Sequence, residues 1–274
     1  MRVAVAQPAS NDDVAANLAL IDQLAAQAAG EGAQVVLFPE YATYEKRRLD
    51  ETFARAAQPL GGPICADLAS IARRHGITLV AGVVEASPVP ERPFNTLAAF
   101  SPSGALIAAY RKIHLFDAQG QRESDFISPA PTADPVTFDV GDVTFGLMTC
   151  YDLRFPELAR ALADAGAQVL AIGASWVPGE LKTDQWLTLL AARAIDNAVF
   201  VAGSCQAPPI SVGHSQILDP QGGVLSRLSA EPGVAVADLD LGRIAGIRRD
   251  FPVAQQRRMG VLIRSDHTQP ESAV

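Results

Sequence analysis

The segment Gly146-Leu147-Met148-Thr149-Cys150-Tyr151-Asp152-Leu153-Arg154-Phe155-Pro156-Glu157 runs from an apolar strand into a cysteine and then into a helix opened by Pro156. A strand that turns sharply into a helix exposes the residue at the turn, and backbone N–H groups gather beside it. The same alternation extends in both directions. Upstream, Val3–Ala6, Val35–Phe38, Ile77–Val84, Asn95–Phe100, Ala105–Tyr110 and Val136–Val140 are runs of strand length. Downstream lie Val169–Ile172, Val199–Gly203, Ser215–Leu218, Val224–Arg227 and Val234–Leu239. Between them, Val14, Leu18, Ile21 and Leu24 recur at helical spacing after the capping side chains of Asn11–Asp13. Further helices are predicted over Pro63–His75, Pro156–Asp164 and Lys182–Asn197, with a short one ending near Arg249. Strands mixed with helices along the whole length predict an α/β class with helices covering sheet faces. No linker long enough to separate two domains occurs, so one domain is expected.

The chain has 274 residues, 49% of them hydrophobic, enough to bury a large core and too apolar for a disordered protein. Its 22 basic residues face 30 acidic ones, a formal net charge of -8, without a basic block. That balance argues against nucleic acid as a partner. Apolar runs such as Val35–Phe38 fall far short of the roughly 20 residues that cross a bilayer, so no membrane partner is expected. Met1–Ala6 enters a strand directly, without a signal-peptide pattern. Three widely spaced cysteines, Cys65, Cys150 and Cys205, fit a reducing cytoplasm better than a disulfide framework. No Cys-x-x-Cys or spaced histidine pair suggests a metal site. The first strand is followed by Gln7-Pro8-Ala9-Ser10 rather than a Gly-x-Gly-x-x-Gly, which removes a Rossmann nucleotide enzyme from consideration.

Three positions can carry chemistry. Phe38-Pro39-Glu40-Tyr41 delivers a carboxylate where a strand leaves the core, with proline ending the ladder. By itself it reads as a solvated glutamate, the usual state of that residue at a strand end. Tyr110-Arg111-Lys112-Ile113-His114-Leu115-Phe116 sets cations among apolar residues. It is either a guarded edge strand or a lysine held where it can stabilise developing negative charge. His114 is read as structural. Cys150, at its strand-to-helix turn, is the candidate nucleophile, its thiol pKa expected to be lowered by the helix start. Cys65 and Cys205 have no comparable turn and are read as buried filler.

Taken together, Phe-Pro-Glu at Glu40, Tyr-Arg-Lys-Ile-His-Leu-Phe at Lys112 and Cys-Tyr-Asp-Leu-Arg-Phe-Pro-Glu at Cys150 resemble the carbon–nitrogen hydrolase (nitrilase) superfamily. Its catalytic set is Glu, Lys and Cys in that order. Gly213-His214-Ser215 with Asp219-Pro220, and Arg193-Ala194 with Asp196-Asn197, also look like it. The resemblance implies a four-layer α-β-β-α sandwich, here over residues 1–260, followed by a poorly ordered tail over 261–274. It further implies a homodimer or higher homo-oligomer, and no metal or organic cofactor. True nitrilases follow the nucleophile with Trp-Glu. Tyr151 and Asp152 instead look like the amidase branch of omega-amidases and deaminated-glutathione amidases. Arg122-Glu123-Ser124-Asp125 resembles that branch's second glutamate motif and makes Glu123 the fourth site residue. The loop between Phe116 and Glu123 is shorter than is usual there. Gln185-Trp186 also departs from the more frequent His-Trp.

The resemblance implies the roles. Cys150 is the nucleophile and Glu40 the general base. Lys112 and the Tyr151 N–H hold the oxyanion, and Glu123 orients Lys112 or the substrate amide. The expected substrate is a small amide bearing a distal carboxylate, cleaved to carboxylate and ammonia through a cysteine thioester. Tyr151, Arg154 and Tyr44 are the expected substrate-binding residues, Arg154 through its planar fork. Arg154 reads first as a structural partner of Asp152 or Glu157, and Tyr41 and Tyr44 read equally as pocket-lining residues or as surface-loop aromatics. N-carbamoyl amide hydrolysis, nitrile hydrolysis and a catalytically silent binding role are the alternatives. Retention of Glu40, Lys112 and Cys150 weighs against the last.

Overall fold

The computed structural model describes residues 1–262. In chain order it contains β1 (Arg2–Gln7), α1 (Val14–Gly30), β2 (Val35–Leu37), α2 (Thr52–Ala56), α3 (Pro63–His75), β3 (Thr78–Glu85), β4 (Phe94–Phe100), β5 (Leu106–Arg111), β6 (Thr137–Val140), β7 (Val143–Thr149), α4 (Pro156–Asp164), β8 (Val169–Ala174), α5 (Lys182–Asn197), β9 (Phe200–Cys205), β10 (Gln216–Leu218), β11 (Val224–Arg227), β12 (Gly233–Asp238), α6 (Gly242–Asp250) and α7 (Val253–Gln256). Two 3-10 turns, Glu123–Asp125 and Cys150–Arg154, interrupt the loops.

The strands form two six-stranded mixed sheets, ordered β12-β1-β2-β3-β4-β5 and β11-β10-β9-β8-β7-β6. Within each, three neighbouring strands run parallel: β1, β2 and β3 in the first, β7, β8 and β9 in the second. Parallel strands bury both faces, which is why their sequences read as continuous apolar runs. The period of two still sorts the side chains. Val3, Val5, Val35 and Leu37 join the core between the sheets, whereas Ala4, Ala6, Val36 and Phe38 join the core under α1 and α3. β1 packs on β9, β2 on β8 and β4 on β7. α1 and α3 cover the first sheet; α4 and α5 cover the second. The result is the four-layer α-β-β-α sandwich that the resemblance implied.

Local chemistry fixes the helix ends. The Asp13 side chain accepts from the Ala16 N–H at the start of α1, and Pro63 occupies the first turn of α3. Gly76 takes the left-handed conformation that ends α3. All twelve predicted strands are present. α2, α7 and the two 3-10 turns were not anticipated; none is long enough to show a period. Of the tail expected over 261–274, residues 263–274 lie outside the described residues. Among the described residues, no helix is long and apolar enough to cross a membrane.

The sheets bring the carboxyl ends of β2 and β8 together. A Cβ added at Gly173 would lie 3.1 Å from both the Phe38 carbonyl oxygen and the Glu40 nitrogen. On the other side, the Gly82 N–H donates to the Pro39 carbonyl at 3.1 Å, and the Gly82 carbonyl accepts from Thr43 N–H at 3.2 Å. A Cβ at Gly82 would stand 2.6 Å from the Pro39 oxygen and 2.7 Å from the Glu40 Cα, and closer still to the Tyr41 nitrogen. The turn carrying Glu40 is therefore clamped between two glycines. Gly82→Ala is expected to lower stability by about 1–3 kcal/mol, the cost of overpacking against backbone. Denaturant unfolding checks this, and an unchanged midpoint would show that the turn yields freely.

Candidate active site

Four loops bring their side chains to one point. Glu40 follows β2, Lys112 follows β5, Glu123 opens its 3-10 turn and Cys150 follows β7. All four are buried, the three charged ones at 2–3% exposure. The Lys112 Nζ donates to Glu40 Oε1 at 2.8 Å and to Glu123 Oε1 and Oε2 at 3.0 and 2.8 Å. Asn95 of β4 ties the two carboxylates together, its Nδ2 donating to Glu40 Oε1 at 2.6 Å and to Glu123 Oε1 at 3.2 Å. The Ser175 N–H donates to Glu40 Oε2 at 2.7 Å, and the Tyr41 hydroxyl to Glu123 Oε1 at 3.1 Å. The Phe116 N–H donates to Glu123 Oε2 at 2.6 Å, so the short loop from Phe116 closes directly on the carboxylate it delivers.

The charges shape one another. Burial works against the Lys112 ammonium, but Glu123, Glu40 and Cys150 outweigh it and hold its pKa well above the ordinary lysine value. Burial pushes the Cys150 thiol well up; Glu40 adds to this, and Lys112 pulls the other way. The sequence suggested a thiol lowered by a helix start. That is corrected here: the helix begins at Pro156, beyond the 3-10 turn, and the sulfur is buried beside two carboxylates. Cys65 and Cys205 are pushed up to about 11 and about 12, both chiefly by burial.

Cys150 itself is bent into the left-handed region, φ +47°. The turn is held by the buried Asp152. Its Oδ2 accepts from Thr149 N–H at 3.0 Å and from the Tyr110 hydroxyl at 2.6 Å. Its Oδ1 accepts from the His114 N–H at 3.1 Å and lies 2.7 Å from His114 Nδ1. His114 also stacks on Phe155 at 3.7 Å between ring centroids, the structural placement its sequence suggested.

Glu40, Lys112, Glu123 and Cys150 line a pocket of about 580 Å³, counted to its open mouth. Tyr151, Arg154, Trp176 and Lys182 complete the side toward α5. A family model described as carbon-nitrogen hydrolase matches residues 2–249. The chain belongs to the carbon-nitrogen hydrolase family. A hydrolase of Mycobacterium tuberculosis (strain H37Rv) is 39% identical over 274 residues, covering 94% of this chain and 95% of the relative. The deaminated glutathione amidase of Escherichia coli O157:H7 is 33% identical over 258 residues, covering 94% and 97%. Among solved structures, a double mutant of the amidase from Nesterenkonia sp. AN1 in complex with acrylamide superposes with a TM-score of 0.81 at 29% identity, covering 94% of each chain.

In this carbon-nitrogen hydrolase, Glu40, Lys112, Cys150 and Glu123 converge, and Tyr151 and Arg154 border the same pocket. Arg154 does not pair with Asp152 or Glu157. Its Nη2 donates to Gln185 Oε1 at 2.6 Å, and its guanidinium lies over Trp176 at 4.9 Å. The assignment of Tyr44 to substrate binding is corrected. Its ring packs edge-on against Phe53 at 5.1 Å and its hydroxyl bonds Thr52 Oγ1 at 2.6 Å, outside the pocket lining. Tyr41, which the sequence left open between a pocket residue and a surface-loop aromatic, is buried and lines the pocket. Sequence reasoning missed Asn95, Ser175, Glu45 and Lys182. Glu45 also lines the pocket; burial holds its carboxyl well above the ordinary value, and its Oε2 has no hydrogen-bond partner. Among the described residues, no group of three or more His, Cys, Asp or Glu is placed to hold a metal ion.

The raised thiol makes a spectroscopic expectation. Thiolate ultraviolet absorption, taken as wild type minus Cys150→Ala, should be flat at neutral pH and grow only past the ordinary cysteine value of 9.0. A neutral-pH thiolate signal lost in Cys150→Ala would contradict it.

Proposed function

We propose that the chain hydrolyses a small amide, an omega-amide of a carboxylic acid, to carboxylate and ammonia through a thioester on Cys150. The observation that carries this is the single buried network in which Lys112 bridges Glu40 and Glu123 beside the Cys150 thiol. Family membership and the amidase names of the relatives support it.

The chemistry follows from the protonation states. Cys150 is neutral at rest and needs a base. Glu40 takes the thiol proton as sulfur attacks the amide carbon, and the carbonyl electrons move onto oxygen. All three Lys112 donors are engaged before reaction, one by Glu40. Protonation neutralises Glu40 and releases that donor at the moment the oxyanion forms. Lys112 and the Tyr151 N–H then hold the oxyanion. As the intermediate collapses, the C–N bond breaks and the proton on Glu40 passes to the departing nitrogen, leaving ammonia and a thioester. Water adds to the thioester with Glu40 again as base, the C–S bond breaks, and the proton returns to sulfur. Glu123, with two hydrogen bonds from Lys112, is a positioning residue. The route uses no metal or organic cofactor. We extend the proposal to a cytoplasmic homodimer, on the three unpaired cysteines and on the family likeness.

Ammonia release from a panel led by 2-oxoglutaramate and deaminated glutathione, with carbamoyl compounds and nitriles beside them, tests the proposal. The omega-amides should be turned over fastest. Cys150→Ala should abolish turnover, and Glu40→Gln should lower kcat about 10²–10⁴-fold. A mass increase on Cys150 equal to the acyl group should appear under rapid quench. Intact hydrolysis by Cys150→Ala overturns the mechanism; preference for nitriles or carbamoyl compounds overturns the substrate class.

A further inference from the structure

The pocket is divided by charge. Its floor carries Glu40, Glu123 and Lys112, which neutralise one another in part. Its wall carries the exposed Arg47 and two more enclosed cations, Arg154 and Lys182. Among the described residues, no carboxylate pairs with either one. Lys46, also at the rim, is tied to Asp50.

Lys182 is the unusual member. It is 3% exposed, and lysines are seldom buried without a partner. Its Nζ lies 4.7 Å from the ring centre of Trp176 and 5.3 Å from that of Phe116. Ring faces compensate only part of a lost hydration shell. It also stands in the first turn of α5, where the helix dipole disfavours a cation. The backbone nevertheless turns it inward. Leu181, at φ +56°, is 62% exposed, while the Lys182 carbonyl accepts from Trp176 Nε1 at 2.9 Å. An apolar residue has been put out and a lysine in, the reverse of what hydrophobicity favours.

We infer that Lys182, together with Arg154, binds the carboxylate at the far end of the amide substrate. This rests on the amidase reading above and names the residue that selects within it. The pair leans on one indole, and Arg154 spends one donor on the neutral Gln185, keeping the rest of its fork for a carboxylate. The floor repels a carboxylate and accepts a neutral amide; the wall attracts the carboxylate. Burial lowers the Lys182 pKa and Arg154 adds to this, with Cys150 opposing, so an arriving carboxylate restores favourable surroundings to the ammonium.

The test compares glutaramate with 5-methylhexanamide, in which an isopropyl group replaces the carboxylate, on full-length wild type, Lys182→Met and Lys182→Arg. The preference for glutaramate, as the ratio of the two kcat/KM values, should fall about 10- to 100-fold in Lys182→Met. The loss should sit in the glutaramate KM, and Lys182→Arg should recover part of it. Equal losses on both amides, or no loss, overturn the assignment while leaving the amidase reading intact. A second measurement needs no turnover: calorimetric binding of glutarate to Cys150→Ala, with and without Lys182→Met. Binding weakened about 10- to 100-fold by Lys182→Met supports the anion site even if neither amide is hydrolysed, in which case the amidase reading alone fails. Undiminished glutarate binding overturns the site.

Discussion

Lys112 is one buried ammonium between two buried carboxylates, and the remainder of the site is arranged around keeping it so. Taking three charges out of water is costly, and the cost is recovered only with close geometry and fully used hydrogen bonds. The geometry is close: each Lys112 proton meets a carboxylate oxygen, and Asn95, Ser175, Tyr41 and Phe116 occupy further lone pairs, with Asn95 Oδ1 left without a partner. Removing one member of such a cluster typically costs about 3–5 kcal/mol, because the others stay buried uncompensated. The network is also the reason two sheets are needed. The first sheet and its loops supply Glu40, Asn95, Lys112 and Glu123; the second supplies Cys150 and Ser175. The Ser175 N–H on Glu40 Oε2 is the hydrogen bond by which the second sheet enters this network.

The same enclosure that makes the network strong keeps the nucleophile neutral. A thiolate beside Glu40 and Glu123 in a water-poor site would add a third negative charge to one positive one. Resting energy is lowest with the proton on sulfur, and Glu40, in hydrogen-bond contact with the thiol, can accept it when a substrate arrives. Sharp backbone at Cys150 aims the sulfur out of its strand. A left-handed residue costs of order 1–2 kcal/mol unless Gly, and Asp152 compensates by accepting from Thr149 at the start of the turn and from His114 in the segment after β5. Asp152 thus shapes the elbow that its sequence position, two past the nucleophile, only hinted at.

Sheet strands and long helices were legible because burial on a parallel sheet leaves unbroken apolar runs, and because α1, α3, α4 and α5 span several turns with recognisable ends. Glu40, Lys112 and Cys150 were legible because their three motifs, in that order, resemble those of a known family; each strand end alone was open to a structural reading. Asn95 was not, since a buried asparagine inside the strand Phe94–Phe100 looks like an imperfection until its Nδ2 is seen on two carboxylates. Ser175 was not, because it acts through a backbone N–H and any residue type supplies one. Tyr44 was misplaced for the opposite reason. Proximity to Glu40 in sequence says nothing about direction, and the Tyr41 turn at φ +55° sends the two tyrosines to different partners, Glu123 and Thr52.

Lys182 shows why charge at a helix start is hard to read. On an exposed helix a first-turn lysine is a small misfit with the dipole and nothing more. Here the misfit is buried, and one feature removes its apparent wastefulness: an anion arriving from solvent. A neutral amide meets no penalty at the floor, where Lys112 already balances much of the acidity, while a carboxylate there would face Glu40 and Glu123 at short range. With cations on the wall and carboxylates on the floor, the two ends of an omega-amide can settle in only one orientation, amide carbon toward Cys150. Orientation is then set by electrostatics before any bond is made, which is the form of positioning that lowers the entropic part of a barrier.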